Sequence, residues 1–288
     1  MTTNSSYNRR VYPLSPRELT EEQLAVVCAM TSRRPEPFDE IAQRVTTEKA
    51  ADFHERWVLG YGHASVAEHA IIHMAVENLS RLACDSLEDN RLASYTEKSS
   101  RYQVLASGYY YVPSELDQYE EMRVLYVDAC DRLFHAYESL VKGLIQHLSQ
   151  IHPQREEERD SAYNLRLRRQ SIDSCRFILP AATLTNVAVT INARSMEHAI
   201  TKLLTSDLAE ERDLATDLKV QGRLITPTLI KYADVNPYIS SVRANQSQHV
   251  GANVGSVEDR YITARLLHYD VEADTKLGAA LAYRYSNM

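Results

Sequence analysis

The sequence has no pair of cysteines close enough to form a CxxC motif. Its four cysteines, Cys28, Cys84, Cys130 and Cys175, are spread along 288 residues. A disulfide framework and a zinc ribbon both need closely spaced cysteines, so neither is expected. We therefore expect reduced thiols, which are typical of a cytoplasmic protein.

A surplus of basic residues is also missing. The chain carries 32 lysines and arginines against 39 aspartates and glutamates, which gives a formal net charge of −7. Binding of polymeric nucleic acid usually needs a basic surplus, so we expect no such partner. A small anionic ligand remains compatible, because a few arginines can form a local pocket within an acidic surface.

Long apolar runs are absent as well. No stretch reaches the length needed to cross a bilayer, so no membrane partner is expected. The N-terminus, MTTNSSYNRR, has no apolar core behind its arginines and does not resemble a secretory signal. These features predict a cytoplasmic location.

The glycine-rich nucleotide-binding motifs GxGxxG and GxxxxGK[ST] do not occur. Helix and strand patterns mix without regular βαβ alternation. This favours an irregular α/β (α+β) fold, with a mixed sheet and long helices, over a doubly wound sheet. We predict one domain over residues 1–232, with its core at 52–232. Residues 233–288 are predicted to be a C-terminal extension packed on the same domain.

Hydrophobic periodicity predicts the individual elements. An alternating pattern predicts a strand at HAIIHMAVEN, with a helix as the alternative, and an alternating, β-rich pattern predicts a strand at TLTNVAVTINA. The stretch NRLASYTEKSSRYQ, residues 90–103, is predicted to be a loop, and the last residues a strand and a helix. Helical spacing predicts a helix at TEEQLAVVCAM, with Thr20 as its cap, and a helix over residues 115–150 with a break at Gly143. Further helices are predicted at about 38–57, at 78–89, at REEERDSAYNLRLRRQSIDSCRFIL and, in two pieces, at RSMEHAITKLLTSDLAEERDLATDLKVQGRL.

The loop at residues 90–103 is rich in hydroxyl groups and cations. Ser99, Ser100 and Arg101 are adjacent in it. Hydroxyls, backbone N–H groups and a guanidinium are the components of a phosphate site, and the arginine fork matches phosphate geometry. The alternative is a polar surface loop with one solvated arginine.

Four potential metal ligands lie in GHASVAEHAIIH, namely His63, Glu68, His69 and His73. The HExxH order of a zinc site is missing. We therefore expect hydrogen-bonded structural histidines and no metal. A metal-dependent hydrolase built on these histidines is an unrelated alternative.

Two further segments combine polar residues with a change of secondary structure. Arg176 precedes an apolar turn and Pro180, while Asn192 and Arg194 end a predicted strand and open a helix. Ligands often bind where a strand leads into a helix, because free amides point outward there. The alternative is a helix cap followed by a solvated arginine.

The order of these blocks resembles the flavin-dependent thymidylate synthases. The matching blocks are GHASVAEHA, NRLASYTEKSSRY, RFILP and TINARSMEHA, over roughly residues 52–232. The resemblance implies an α/β homotetramer whose active sites are assembled from several subunits. It implies methylation of uracil at C5, with carbon from methylenetetrahydrofolate, hydride from reduced FAD, and NADPH to reduce the flavin. No cysteine nucleophile is required, and none of the four cysteines has an activating neighbourhood in sequence.

The resemblance also implies roles for individual residues. The expected catalytic residues are Ser99, Arg91 and His63, which lies beside the flavin ring, and Lys202 is added to them as a replacement where this chain departs from the family. FAD is expected to contact Ser65, Asn90, Arg91, Glu97, Asn192, Arg194 and His198. The nucleotide, mainly its phosphate, is expected to contact Glu97, Ser99, Ser100, Arg101 and Arg176, and Asp89 is added as a departure from the family that would contact a hydroxyl of the nucleotide.

Two departures from the family pattern affect the expected chemistry. Asp89, Asn90 and Arg91 stand where the family has Arg-His-Arg, so a carboxylate replaces a cation. Leu203 occupies the place of an arginine thought to polarise the uracil, with Lys202 beside it. Lys202 is one candidate substitute, although one helical residue is about 100° around the axis. A backbone amide or Arg194 is the alternative.

These departures suggest a specialised branch of the family. A ribose 2′-hydroxyl that donates to Asp89, or that is hydrogen-bonded to Asn90, would favour UMP, used as well as or instead of dUMP. Divergent relatives that act on uridylate in nucleoside-antibiotic pathways provide a precedent by resemblance. The same departures are compatible with a non-catalytic relative that binds FAD or nucleotide, which is the alternative function.

Overall fold

The structure is a computed structural model that describes residues 18–31, 36–242, 244–245 and 269–285. The chain divides into two compact units, residues 1–241 and 242–288, which are treated separately. Within the described residues, no helix is long and apolar enough to cross a membrane. The predicted packing of residues 233–288 on the main domain stays a prediction.

Short helices form the N-terminal layer, α1 (Glu21–Thr31), α2 (Phe38–Arg44) and α3 (Thr47–Phe53), followed by a π-helix (His54–Gly60). Thr20 caps α1 as predicted. Its hydroxyl accepts from the Gln23 amide at 3.3 Å, and Gln23 Oε1 accepts from the Thr20 amide at 2.9 Å.

The prediction of one helix over about 38–57 is wrong. Val45 is extended and ends α2, and the Thr46 hydroxyl then caps α3 by accepting from the Lys49 amide at 3.3 Å. A threonine hydroxyl that bonds the backbone locally competes with helix continuation. The apolar spacing continues across this break, which is why periodicity alone did not reveal it.

A three-stranded antiparallel sheet forms the centre, with β1 (Ile71–Ser80), β2 (Ala93–Glu97) and β3 (Leu184–Asn192) in the order β1-β3-β2. Both predicted strands are confirmed. Residues 93–97 were predicted to be part of a loop, and this was wrong. Hydrogen bonds to β3 make them a strand, and such tertiary pairing outweighs local propensity.

Helices α4 (Arg81–Glu88), α7 (Ala193–Leu204) and α8 (Ala209–Gly222) enclose the main core with one face of the sheet. Buried side chains of the sheet, Ile72, Val189 and Ile191, pack in this core. Side chains on the other face of the sheet, including Ala75, Ser94 and Ala188, are exposed. The α+β prediction is confirmed.

Two long helices, α5 (Glu120–Ile151) and α6 (Asp160–Cys175), form an antiparallel pair with a separate core around Phe134, Tyr137 and Ile172. The break predicted at Gly143 does not occur. This glycine is exposed, and a helix interior tolerates glycine at a cost of about 1 kcal/mol. A 3₁₀ turn (Arg176–Ile178) follows α6 directly.

The second unit contains a helix at Ala273–Tyr285, in agreement with the predicted C-terminal helix. The strand predicted before it falls largely outside the described residues. Residues 237–241, at the end of the first unit, are helical.

Ser80 joins β1 to α4 and to α8. Its hydroxyl accepts from the Ala83 amide at 3.0 Å and donates to Glu210 at 2.6 Å, and the side chain is 1% exposed. We expect Ser80→Ala to lower the free energy of unfolding by about 1–3 kcal/mol, because α4 loses its cap and a half-buried carboxylate loses a donor. Urea denaturation measures this change.

Ser94→Ala is the matched control for Ser80→Ala, because Ser94 is an exposed serine on β2. We expect this control to stay within about 0.5 kcal/mol of the unaltered protein. Equal losses in the two variants would contradict the role assigned to Ser80.

Candidate active site

Three segments meet where β3 ends and β1 and β2 begin. Ile71 pairs with Asn192, and Ala93 pairs with Ile191. This register brings together the 3₁₀ helix before β1 (Ala64–His69), the chain before β2 and the start of α7. The α7 group, as we name it, is Ser65, Asn90, Arg91, Asn192, Arg194 and His198.

Asn192 is the cap of α7. Its side-chain oxygen accepts from the Ser195 amide at 2.8 Å, and the Ala193 amide donates to the Ala70 carbonyl at 2.8 Å. Two of the first amides of α7 therefore already have partners. A negatively charged ligand at this helix start would depend on side chains more than on free helix amides.

The other members of the α7 group differ in exposure. Arg91, Ser65 and His198 are exposed, and Arg194 forms an ion pair with Glu68 of the 3₁₀ helix. Asn90 is buried, and its amide donates to the Leu87 carbonyl at 2.8 Å. Asn90 thus closes the turn after α4, while the exposed side chains remain accessible to a ligand.

His63 lies at the turn into the 3₁₀ helix. Gly62 before it has a φ of 75°, a conformation that glycine adopts without strain. The exposed His63 ring lies 6.1 Å from the Trp57 ring, measured between centroids.

His73 Nδ1 and the Thr190 hydroxyl are hydrogen-bonded at 2.9 Å. Within the described part of the chain, no three His, Cys, Asp or Glu side chains are grouped to hold a metal.

A second cluster forms beyond the other end of β2. The serine–arginine group is Ser99, Ser100, Arg101 and Arg176. Arg176 Nη1 donates to the Ser100 hydroxyl at 3.0 Å, although the two residues are 76 positions apart. The Ser99 hydroxyl accepts weakly from the Arg101 amide at 3.4 Å, and the Arg101 side chain is exposed.

Two carboxylates flank the serine–arginine group. Glu97, the last residue of β2, pairs with Arg81 at 3.0 Å, and Asp173 pairs with Arg176 Nε at 3.0 Å. Each carboxylate thus balances a guanidinium that borders the group. The pairing of Arg81 with Glu97 was not predicted, because strand pairing brings them together and no sequence spacing signals it.

The two departures from the family pattern contact each other. Lys202, in the last turn of α7, forms an ion pair with Asp89, the cap at the end of α4. Hydrogen bonding and the charge of Lys202 lower the pKa of the Asp89 carboxyl below its ordinary value. Leu203 is 1% exposed and packs in the main core. The sequence contains no signal for this pairing over 113 positions.

The four cysteines are free and none is activated. Burial raises the pKa of the Cys84 thiol to about 12. Burial also raises the pKa of Cys28, Cys130 and Cys175. A thiolate nucleophile needs a lowered pKa, so the site has no cysteine suited to that role.

Comparison with known proteins identifies the family. A family model described as "Thymidylate synthase complementing protein" matches residues 17–228. A "UPF0159 protein" of Chlamydia muridarum is 31% identical over 255 residues, which is 83% of this chain and 48% of that protein. A "Flavin-dependent thymidylate synthase" of Clostridium tetani is 27% identical over 214 residues, which is 74% of this chain and 82% of that protein.

A "Flavin-dependent thymidylate synthase" of Thermococcus onnurineus is 30% identical over 153 residues, which is 52% of this chain and 53% of that protein. The chain spans about half the length of the UPF0159 proteins that it matches, 48% in each of two cases. Since the family model covers most of the chain, this protein belongs to the flavin-dependent thymidylate synthase family, as a divergent member.

Proposed function

We propose that this protein methylates C5 of a uracil nucleotide, with methylenetetrahydrofolate as carbon donor, reduced FAD as hydride donor and NADPH to reduce the flavin. The carrying observation is the contact between Arg176 and Ser100, which joins distant segments into the serine–arginine group. Family membership and relatives named flavin-dependent thymidylate synthases support the reaction type.

The serine–arginine group would bind the nucleotide phosphate. Arg101 and Arg176 supply guanidinium donors, and Ser99 and Ser100 supply hydroxyl donors. Charge-assisted bonds from arginine to phosphate are stronger than neutral ones and fix orientation. Glu97 borders this group and pairs with Arg81. That pairing would hold the Glu97 carboxylate in a position from which it orients the nucleotide.

The residues of the α7 group fit FAD by the chemistry of their donors. Arg91 and Arg194 would hold the pyrophosphate, with hydroxyl and ring donors from Ser65 and His198, and His63 would lie beside the flavin ring. Asn90 and Asn192 shape this end of the sheet through their own hydrogen bonds. Bound reduced FAD would supply the hydride.

Lys202 is our candidate for the group that polarises the uracil. C5 is nucleophilic in an enolate form, in which negative charge is shared with the uracil O4, and a nearby cation stabilises that form. Leu203 lies in the core and carries no charge, so it cannot stabilise the charge on the uracil. Asp89 would hold Lys202 in place and would reduce its field, since the two charges are opposite.

Asp89 is also our candidate for recognition of a ribose 2′-hydroxyl. Its side chain is 72% exposed, and only one of its oxygens pairs with Lys202. The other oxygen can accept from a hydroxyl. Asn90 fits this role less well than its sequence position suggests, because it is buried and bonded to Leu87.

We further propose that a second copy of the chain completes each site, within a homotetramer. The five residues of β2 separate the α7 group from the serine–arginine group by about 14 Å along the strand. When a uracil ring stacks on a flavin, the α7 group and the serine–arginine group must both lie close to the stacked ligands. Groups from two copies would meet this requirement.

One assay tests the proposed reaction. The protein is incubated with UMP or dUMP, methylenetetrahydrofolate, FAD and NADPH, and mass spectrometry looks for the added methyl group. We expect methylation of UMP at least as efficient as that of dUMP, by kcat/KM. We expect Asp89→Ala to lower this preference by about tenfold or more, because a hydrogen bond to the 2′-hydroxyl is lost.

A strong preference for dUMP that Asp89→Ala leaves unaltered would refute the 2′-hydroxyl hypothesis. Absence of methyl transfer from a flavin-loaded protein would favour the non-catalytic relative instead. Burial of Leu203 and neutralisation of Lys202 by Asp89 are the observations that favour this alternative. A yellow purified protein with a flavin spectrum would identify flavin binding in either case.

Arg101→Ala tests the phosphate assignment. We expect the KM for nucleotide to rise roughly 10- to 100-fold, since a charge-assisted hydrogen bond is worth about 1.5–3 kcal/mol. Steady-state kinetics measure it, with thermal unfolding as a check on folding. Arg223→Ala, at an exposed arginine after α8, is the control and should behave as the unaltered protein.

Complementation tests the shared site. Arg101→Ala and Arg194→Ala should each be strongly impaired when expressed alone. Coexpression should recover activity, because some sites then combine an intact Arg101 from one copy with an intact Arg194 from another. If coexpression recovers nothing although mixed oligomers form, each site belongs to one chain.

A further inference from the structure

A cavity of about 320 Å³ lies among α1, α2, α3 and the π-helix. Its apolar floor consists of Val26, Ile41 and Val45, which are buried, together with Met30. The volume falls at the lower end of small-molecule pockets in proteins. The cavity is therefore large enough for a ring with a short polar tail.

One wall of the cavity comes from a single face of α3 and the π-helix. Its residues recur every three or four positions, as Lys49, Asp52, Phe53, Arg56 and Trp57. The Phe53 and Trp57 rings lie 6.5 Å apart between centroids, with 38° between their planes. This face combines an aromatic surface with cations at its rim.

The charged residues around the cavity are mostly positive. Arg44, Lys49 and Arg56 carry positive charge there and Asp52 carries negative charge, and Glu36 pairs with Arg44, which leaves a surplus of one positive charge (three minus two) in a chain of net charge −7. Local positive charge in an acidic protein attracts anionic ligands. The cavity thus favours a ligand that carries negative charge.

Two of these cations have no carboxylate partner among the described residues. Arg44 is paired with Glu36 at 2.9 Å. In contrast, the Lys49 ammonium donates to the Arg44 carbonyl at 3.1 Å, and the Arg56 guanidinium lies over the Trp57 ring at 5.6 Å. Two cations near one aromatic wall match an aromatic molecule with two carboxylates.

Trp57 connects this cavity to the proposed flavin region. Its ring stacks on Tyr61 at 5.0 Å and lies 6.1 Å from His63, both between centroids. Methylenetetrahydrofolate, the donor in the proposed reaction, ends in an aminobenzoyl ring followed by a glutamate with two carboxylates. When the reactive end of the donor lies near His63, its aromatic dicarboxylate end would extend along Trp57 into the cavity.

We propose that this cavity binds the aminobenzoyl-glutamate end of the folate donor, with Lys49 and Arg56 holding the carboxylates and Phe53 and Trp57 contacting the ring. The identity of this ligand rests on the proposed function. The chemical class, an aromatic dicarboxylate, rests on the cavity itself.

Trp57 provides a direct measurement, because it is the only tryptophan of the chain. The full chain is titrated with p-aminobenzoyl-glutamate while selectively excited tryptophan fluorescence is recorded, and we expect saturable quenching. In the double variant Lys49→Gln with Arg56→Gln, the affinity should fall roughly tenfold or more, because both charge-assisted contacts are lost. Calorimetry repeats the comparison without depending on the emission of Trp57.

Lys142→Gln is the matched control, at an exposed lysine on α5, and should bind like the unaltered protein. p-Aminobenzamide, the uncharged probe, should bind weakly and equally to all variants. Undiminished binding of p-aminobenzoyl-glutamate by the folded double variant would overturn the assignment. Equal competition by inorganic phosphate would also overturn it, since the cavity would then recognise charge without the ring.

Turnover separates this proposal from the proposed function. In the methyl-transfer assay, the effect of the double variant should appear as a raised KM for methylenetetrahydrofolate. Cavity-dependent binding of the probe in a protein that transfers no methyl group would refute the proposed function and leave the aromatic dicarboxylate site intact. Methyl transfer with an unchanged KM in the double variant would refute the cavity proposal alone.

Discussion

The pairing of β3 with two partners is the interaction on which the candidate site depends. β3 forms hydrogen bonds with β1 on one side and β2 on the other, and its last residue, Asn192, is also the cap of α7. A one-residue slip in register would turn the buried side chains of β3 to the other face of the sheet. The register therefore fixes which segments adjoin the start of α7.

The helical pair α5 and α6 has a different function in the architecture. It encloses its own core and ends in the turn that carries Arg176. Arg176 donates to the Ser100 hydroxyl, and Leu105 of the segment after β2 packs in the core of this pair, so the serine–arginine group depends on that core as well as on the main core behind the sheet. A change in either core is thus expected to disturb the cluster without touching its residues.

The contact between Asp89 and Lys202 changes how the departures from the family pattern are understood. Considered separately, Asp89 places a carboxylate where the family has a cation, and Leu203 replaces an arginine. In the structure, the new carboxylate and the nearby lysine form one ion pair between the end of α4 and the last turn of α7. A carboxylate near an anionic ligand would repel it, and a paired carboxylate repels it less. The two positions are therefore best understood together.

Local patterns in the sequence determined much of the fold, namely the α+β class, both long strands, the cap of α1 and most helices, because short-range periodicity and capping are encoded in neighbouring residues. The blocks that resemble the family also indicated the candidate residues. Tertiary structure alone decided that residues 93–97 form a strand, that Arg176 meets Ser100 and that Lys202 meets Asp89. These outcomes depend on contacts between segments far apart in the chain, and local spacing contains no information about them.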